Sequence, residues 1–144
     1  MTEDALRRTT RILAVLGIGV AGYLTYVHYA GLAPVCGISH GCETVQTSRY
    51  ATLLHTPVAL LGLITYTSVF ATSFSRSDRA MLTGFALTAT AFAFSVYLTY
   101  RELFTIHAIC SWCVSSAIIF TLLAIVTTAR LTTRRPAATV VPTT

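Results

Sequence analysis

Residues 108–129 read AICSWCVSSAIIFTLLAIVTTA and contain no charged side chain. An α-helix needs about 20 mostly apolar residues to cross a hydrocarbon core of about 30 Å. This stretch has 22 residues, so it predicts a membrane-spanning helix. Two cysteines, Cys110 and Cys113, lie near its start and put reactive side chains at one end of the predicted span.

Three further segments, at 12–32, 53–74 and 80–104, are also long and apolar, and only the last contains charged residues, Arg101 and Glu102. The 144 residues are 54% hydrophobic and only 10% charged, with a mean hydropathy of +0.69. Soluble domains carry about 25% charged residues, and disordered chains are rich in charge and poor in apolar residues. A membrane β-barrel shows short stretches of alternating polarity instead of long apolar runs. The sequence therefore predicts an all-α integral membrane protein, a bundle of four transmembrane helices.

All ten basic residues are arginines, and they are distributed unevenly about the four predicted spans. Eight of them fall on one side of the spans: Arg7, Arg8, Arg11, Arg76, Arg79, Arg130, Arg134 and Arg135. Only Arg49 and Arg101 fall on the other side. Because the side rich in basic residues faces the cytoplasm, we expect a multi-pass protein of the cell membrane with both termini cytoplasmic. The net charge of +5 follows from this rule, so we do not expect nucleic-acid binding.

The predicted orientation divides the chain into a cytoplasmic N-terminus at 1–11, a four-span membrane domain at 12–130 and a disordered cytoplasmic tail at 131–144. The long loop 33–52 between the first two helices is then extracytoplasmic. The arginines before the first span also fit a cleaved signal peptide, but the apolar core of a signal peptide has about 7–15 residues. The apolar run that starts at Ile12 has 21 residues, so we expect the first span to be retained.

The C-x-x-C motif of Cys110 and Cys113 lies at the predicted N-terminus of a helix, where residues i and i+3 share a face. The positive end of the helix dipole favours the thiolate, which is the reactive form of cysteine. Such a pair suits thiol–disulfide exchange through a mixed disulfide. A structural disulfide and two inert apolar cysteines are the alternatives at this point.

A second pair, Cys36 and Cys42, lies in the extracytoplasmic loop in the sequence CGISHGC. The two glycines permit turns that let this short loop close into a disulfide. All four cysteines are predicted on the outer side of the membrane, where disulfides form and persist. A mobile loop pair beside a fixed helix pair is suited to passing electrons from one to the other, although the loop pair alone also fits a structural staple.

A different chemistry also fits the four cysteines. Together with His40 and His107 they offer thiolate and imidazole ligands for zinc or copper. The alternative function is therefore a metal-binding or structural four-span membrane protein, whose cysteines are ligands or a loop staple. The oxidising side of the membrane disfavours it, because free thiolates do not persist there.

The order of these features resembles the vitamin K epoxide reductase family, and in particular its short prokaryotic members. The resemblance rests on the loop pair Cys36 and Cys42, on the sequence Ser-Arg-Tyr-Ala at 48–51, on Pro57 and Gly62, and on the C-x-x-C at 110–113. It covers the chain from about residue 12 to 130. It implies a four-helix bundle around a quinone of the menaquinone, ubiquinone or phylloquinone type.

The resemblance also implies roles for single residues. Cys113 would lie next to the quinone, and Cys110 would exchange with Cys42 of the loop. Cys36 would exchange with a reduced partner, which we expect to be a separate thioredoxin-like protein outside the cytoplasm. Ser48 matches a loop serine that the family keeps near the redox centre, and a local hydrogen bond to the backbone is the alternative role for its hydroxyl.

Arg101 and Glu102 lie near the outer end of the third predicted span. We predict that they anchor this span at the membrane interface, with tuning of the Cys110 thiolate as the alternative.

Overall fold

The first element is a long helix, α1, at Glu3–Ala30. In this computed structural model, which describes residues 2–37 and 41–134, α1 is capped by Thr2, whose hydroxyl accepts a hydrogen bond from the Ala5 N–H at 3.3 Å. It ends at Gly31, which adopts a φ of 66°. Glycine is favoured there because a side chain opposes this left-handed conformation at a helix C-terminus.

The predicted extracytoplasmic loop contains a short helix, α2, at Cys42–Gln46 and a 3₁₀ turn at Arg49–Ala51. Two short antiparallel strands follow, β1 at Thr52–Leu53 and β2 at Thr56–Pro57.

The sequence predicted that the second span begins at residue 53. In the structure, residues 53–57 belong to this hairpin instead, and not to a helix. The reason is local: Leu54 and His55 adopt φ values of 50° and 65° at the hairpin turn. In addition, Pro57 disfavours helical backbone at the residue before it, Thr56. The helix therefore begins only after Pro57.

Three more helices complete the fold: α3 at Val58–Thr72, α4 at Asp78–Arg101 and α5 at Ser111–Arg134. A π-helical turn, Glu102–Ile106, continues α4, and the segments Glu3–Ala30, Asp78–Ile106 and Ser111–Arg134 are long and apolar enough to cross a membrane. Helix α3 has 15 residues, or about 22 Å at 1.5 Å per residue. The membrane character of the chain is thus confirmed, and the count of four spans stays a prediction.

The end of α5 extends beyond the predicted membrane domain. Residues 131–134, which the sequence assigned to a disordered tail, are helical. Their side chains also make hydrogen bonds: the Thr133 hydroxyl donates to the Ala129 carbonyl at 2.7 Å, and the Arg134 guanidinium donates to the Arg76 carbonyl. Residues 135–144 lie outside the described part of the chain, and the tail assignment stays a prediction for them.

The four long helices form a bundle in which α1 and α4 each pack against α3 and α5. At its centre the ring of Tyr66 stacks on Phe120 with 4.1 Å between centroids, and the Tyr66 hydroxyl lies 2.8 Å from Ser116 Oγ. Gly17 of α1 faces Tyr66, and a Cβ atom at Gly17 would overlap the ring. Small residues allow such close helix contacts in membranes, where packing and not water exclusion drives association.

Arginines hold the helices together at the end of the bundle that contains the N-terminus of α1. Arg7 is only 7% exposed and donates to the carbonyls of Ser73 at 3.1 Å and Phe74 at 2.9 Å. These carbonyls follow α3, where the last carbonyls of a helix have no partner within the helix. Arg130 of α5 pairs with Glu3 of α1 at 3.3 Å. We call this group of Arg7, Arg130, Glu3 and the two carbonyls the arginine end.

Candidate active site

The loop cysteines are joined. Cys36 follows α1 and Cys42 begins α2, and the two form a disulfide with 6.2 Å between their Cα atoms. Cys42 is fully buried, whereas Cys36 is partly exposed. The disulfide ties the chain that leaves α1 to the short helix that covers one end of the bundle.

Two aromatic side chains hold the segment that carries Cys36. The Val35 N–H donates to the Tyr23 hydroxyl at 3.0 Å, and the Val35 carbonyl accepts from the indole N–H of Trp112 at 2.8 Å. The rings of Tyr23 and Trp112 lie 4.7 Å apart. The backbone next to Cys36 is thereby fixed to α1 and to the C-x-x-C motif at the same time.

Gly41 brings α2 against the segment before α5. A Cβ atom at Gly41 would overlap the Ile109 carbonyl oxygen and lie 2.7 Å from the Ile109 nitrogen, so only glycine allows this approach. Because Cys42 follows Gly41 and Cys110 follows Ile109, the contact brings the two cysteines together. Both are fully buried and belong to one apolar cluster with Val45.

Cys36 and Cys113 pack against the same cluster, so the structure brings all four predicted cysteines to one place. We call these four residues the cysteine end. Cys110 and Cys113 are free thiols, the first buried and the second partly exposed.

Cys110 lies immediately before α5, in the position that caps a helix N-terminus. Its sulfur accepts a hydrogen bond from the Cys113 N–H at 3.4 Å, as a capping side chain does. A hydrogen bond from the Cys113 thiol, helped by this N–H and by the Gln46 amide, lowers the pKa of Cys110 to about 7 against the opposing effect of burial. Cys110 is therefore the thiol of the pair that ionises first.

Two polar side chains from other elements face the C-x-x-C pair. The Gln46 amide nitrogen of α2 lies 3.5 Å from the Cys113 sulfur and 3.9 Å from the Cys110 sulfur. Glu102 is 4% exposed, accepts a hydrogen bond from the Cys110 N–H at 3.3 Å and interacts with the Cys113 thiol. A neutral donor and a carboxyl group thus border the same two sulfurs.

A cavity of about 620 Å³ runs along the bundle from these polar groups, and Cys113, Glu102 and Gln46 belong to its wall. The remaining wall is mostly apolar, with side chains from α1, α3, α4 and α5 such as Leu24, Gly62, Ala91, Phe94 and Phe120. Small-molecule sites are of this size and combine an apolar wall with a few placed polar groups. The cavity can therefore hold a small, mostly apolar molecule with one end next to the sulfur atoms.

Ser48 does not border this cavity. Its hydroxyl donates to the Val45 carbonyl at 2.7 Å, and the residue lines a separate groove of about 560 Å³ with His28, Glu43 and Arg49. The structure thus shows the local backbone bond, and a role of Ser48 in binding quinone stays a prediction.

Within residues 2–37 and 41–134, no arrangement of side chains favours the alternative function of metal binding. No three His, Cys, Asp or Glu side chains in this part of the chain are grouped to hold a metal ion. Two of the four cysteines form the Cys36–Cys42 disulfide, and His40 lies outside the described residues.

Sequence reasoning missed or left open three side chains at this site: Gln46, Glu102 and Trp112. Glu102 had one available signal, because an ionisable residue within a membrane span is rare and usually functional. Gln46 and Trp112 carried no such signal. Their partners are separated from them by 64 to 77 residues and meet them only in the folded bundle.

A disulfide, two adjacent free thiols and an apolar cavity within a bundle of membrane helices are the parts expected of a membrane oxidoreductase of the thiol–disulfide class. Comparison with known protein families agrees with this assignment. The family model for the vitamin K epoxide reductase family matches residues 9–128. The chain belongs to this family, as its motifs indicated, and proteins of this family use quinones.

Proposed function

We propose that this protein is a thiol–quinone oxidoreductase that supports disulfide formation outside the cytoplasm. Electrons would enter from a reduced thioredoxin-like protein at the Cys36–Cys42 pair, pass to Cys110 and Cys113, and leave to a membrane quinone. The observation that carries the proposal is the clustering of both cysteine pairs at one end of the apolar cavity.

The packing supports an internal exchange between Cys42 and Cys110. Both sulfurs are buried in one cluster, and Gly41 allows the two chain segments to touch. A thiolate is the attacking group in such an exchange. Cys42 attacks Cys110 of the C-x-x-C disulfide and Cys113 leaves. When Cys36 then attacks Cys42 of the mixed disulfide, the low pKa of Cys110 makes it a good leaving thiolate. Cys36 is the more exposed member of the loop pair, which suits it to meet a partner protein.

Cys113 is the cysteine that borders the cavity, which supports its assignment to the quinone side. A quinone ring and its hydrophobic tail match the apolar wall in chemistry, and Gln46 supplies a hydrogen-bond donor at the sulfur end. The quinone takes up two electrons and two protons per turnover.

The orientation belongs to the same proposal. The arginine end faces the cytoplasm by the positive-inside rule, which puts the cysteine end on the outer side where its disulfides persist. Helix α3 is then the second of four spans, and the hairpin of β1 and β2 lies at the outer interface before it.

Quinone absorbance in detergent after addition of a small dithiol tests the reaction. The parent protein should reduce the quinone, and Cys113→Ala should fall to the background rate. Cys36→Ala should keep reduction by the small dithiol and lose reduction by a thioredoxin-like donor, because only the protein donor needs the loop pair.

Absence of reduction by the parent with menaquinone, ubiquinone and phylloquinone analogues would reject the proposed function. Full turnover of Cys110→Ala with the protein donor would reject the order of the relay instead.

A further inference from the structure

We propose that Glu102 is a catalytic residue that accepts the thiol proton of Cys113 and carries it to the electron acceptor. The proposal rests on the proposed function for the identity of that acceptor, a quinone. The contact between the carboxyl group and the thiol pair is independent of it.

Local backbone geometry aims Glu102 at the cysteines. The α4 helix changes to a π-helical turn at this residue, and the Glu102 carbonyl accepts from the Ala108 N–H at 3.2 Å. His107 takes a φ of 54° between them, so the chain folds back before α5 begins. Single π turns within helices are frequent at functional sites, and this one puts Cys110 and Cys113 next to the carboxyl group.

The burial of Glu102 needs an explanation. A carboxyl group with 4% exposure in a membrane span is costly, and within residues 2–37 and 41–134 no cation pairs with Glu102. Its neighbour Arg101 points elsewhere, with the guanidinium 5.2 Å from the ring centres of both Tyr50 and Tyr97. An acid retained without an ion pair beside two redox-active thiols is suited to hold a proton for part of the cycle.

The ionisable groups that surround Glu102 fit this role. Cys110 and Cys113 face it from the α5 side, and Tyr50 borders the same cavity from the 3₁₀ turn. The cavity residues of α1 and α3 include no charged side chain, and α2 contributes the neutral Gln46. The Cys113 thiol therefore has two proton acceptors within reach, the Cys110 sulfur and the Glu102 carboxylate.

The step balances in electrons and protons. Cys110 begins as a thiolate, having released its proton to solution, and Cys113 begins as a thiol. The S–H bond of Cys113 breaks as its proton moves to the Glu102 carboxylate, and the S–S bond forms as two electrons leave the sulfur pair. The quinone receives these two electrons, one proton from Glu102 and one from solution. Glu102 returns to the carboxylate, ready for the next turnover.

A lone-thiol experiment tests Glu102 without quinone. In full-length protein with Cys36, Cys42 and Cys110 replaced by serine, only Cys113 reacts with 4,4′-dithiodipyridine, and the released thiopyridone reports the rate. Where Cys113 and Glu102 share one proton, the reactive fraction is independent of pH, so the rate should vary less than about twofold from about pH 6 to about pH 8. With Glu102→Gln, the thiolate forms only by loss of the proton to solution, and the rate should fall about tenfold for each pH unit down.

Two variants separate proton transfer from structure. Glu102→Asp should restore a flat profile, whereas Glu102→Gln still offers an oxygen to the Cys110 N–H and preserves that contact. Glu43→Gln removes an exposed carboxylate next to position 42 and should leave the profile of the parent unchanged. A Glu102→Gln profile parallel to that of the parent would overturn the proposal, and so would a steep profile in the parent itself.

The quinone assay is the second arm, in protein with all four cysteines and a small dithiol. Glu102→Gln should slow quinone reduction about a hundredfold at neutral pH, within the range for general acid–base catalysis, with recovery at higher pH. If the parent reduces no quinone, the proposed function fails, and the lone-thiol profile still decides the role of Glu102. A rate within twofold of the parent at all pH values would overturn the proposal.

Discussion

The arginine end and the cysteine end of the bundle both bury polar groups, with opposite consequences. Arg7 binds two backbone carbonyls that are fixed at the end of α3, and Arg130 pairs with Glu3. Gln46 and Glu102 instead contact the Cys113 sulfur, whose bonds and charge change during the proposed reaction. Most buried polar groups at the arginine end have permanent partners, with Glu3 Oε2 and Arg130 Nε as exceptions among the described residues, whereas the partners at the cysteine end react.

The difference shows that buried polar groups in one membrane bundle serve two purposes: some stabilise the fold, and others take part in the reaction. A buried group with a permanent partner lowers the free energy of the folded state and need not move. When the partner of a buried polar group changes its bonding, the buried group lacks a full set of hydrogen bonds in at least one state. In that state the group can take part in the reaction. We therefore expect substitutions at the arginine end to alter stability and those at the cysteine end to alter rates.

The largest expected effect tests the contact between the two cysteine pairs. Gly41→Ala places a methyl group against the Ile109 carbonyl and pushes α2 away from Cys110. Because a displacement of about 1 Å at reacting groups costs about a hundredfold, electron transfer from a thioredoxin-like donor should fall about a hundredfold. Reduction by a small dithiol that reaches the C-x-x-C pair at the partly exposed Cys113 should persist, and stopped-flow measurement of quinone absorbance with both donors checks this.

Gly37→Ala is the matched control for Gly41→Ala, since a Cβ atom at Gly37 has no neighbour within 4 Å. It should retain the parent rate with both donors. Equal rates for the two alanine variants would show that the contact at Ile109 does not govern the transfer.

The opposite end is tested by Arg7→Met, which removes two charged hydrogen bonds and keeps the apolar stem. We expect the free energy of unfolding to fall by about 2–3 kcal/mol, because the Phe74 carbonyl loses its donor and the Ser73 carbonyl keeps the longer bond from Arg11, at 3.4 Å. Denaturant titration in detergent measures this loss. The rate of quinone reduction per folded molecule should stay that of the parent.

Arg8→Met provides the comparison for Arg7→Met, because Arg8 is exposed and its substitution should change stability by less than about 0.5 kcal/mol. If Arg8→Met lost as much stability as Arg7→Met, the effect would come from the total charge and not from the two carbonyl contacts. A fall in turnover of folded Arg7→Met would contradict the division of roles between the two ends.

A smaller effect concerns the acidity of Cys110. The hydrogen bond from the Cys113 thiol is the main cause that brings the pKa of Cys110 from 9.0 to about 7. Cys113→Ala should therefore raise it by about one unit, whereas Cys113→Ser keeps a hydroxyl donor and should stay near the parent value. With the loop disulfide intact, the ultraviolet absorbance of the thiolate against pH gives both midpoints. Near pH 8, Cys113→Ala should then contain less thiolate than Cys113→Ser, and coincident midpoints would disprove the hydrogen-bond explanation.

The smallest effect concerns the segment before Cys36. Trp112→Phe removes the hydrogen bond to the Val35 carbonyl and retains an aromatic ring beside Tyr23. One hydrogen bond contributes about 1 kcal/mol, so amide exchange in residues 31–37 should accelerate about fivefold. Hydrogen-exchange mass spectrometry measures this rate. Tyr26→Phe, at an exposed site on α1, should leave it unchanged, and equal protection in Trp112→Phe would exclude the indole as an anchor.

Much of the fold followed from the sequence. Long apolar runs predicted the helices α1, α4 and α5, because about 20 apolar residues have few alternatives to a membrane helix. The four cysteines and the family followed from short motifs. The hairpin at 52–57 was missed, since hydropathy does not register the backbone limits set by Pro57 or the positive φ values of Leu54 and His55.

The sequence by itself determined that this is a helical membrane protein with two cysteine pairs, because hydropathy and motif spacing act over short stretches of chain. Only the tertiary structure decided which groups surround the sulfurs. Gln46 and Cys113 are 67 residues apart, and Val35 and Trp112 are 77 apart. Glu102 is near Cys110 in the chain, yet its contact depends on the π turn and on His107. Such contacts arise from the packing of whole helices, which no local pattern of residues specifies.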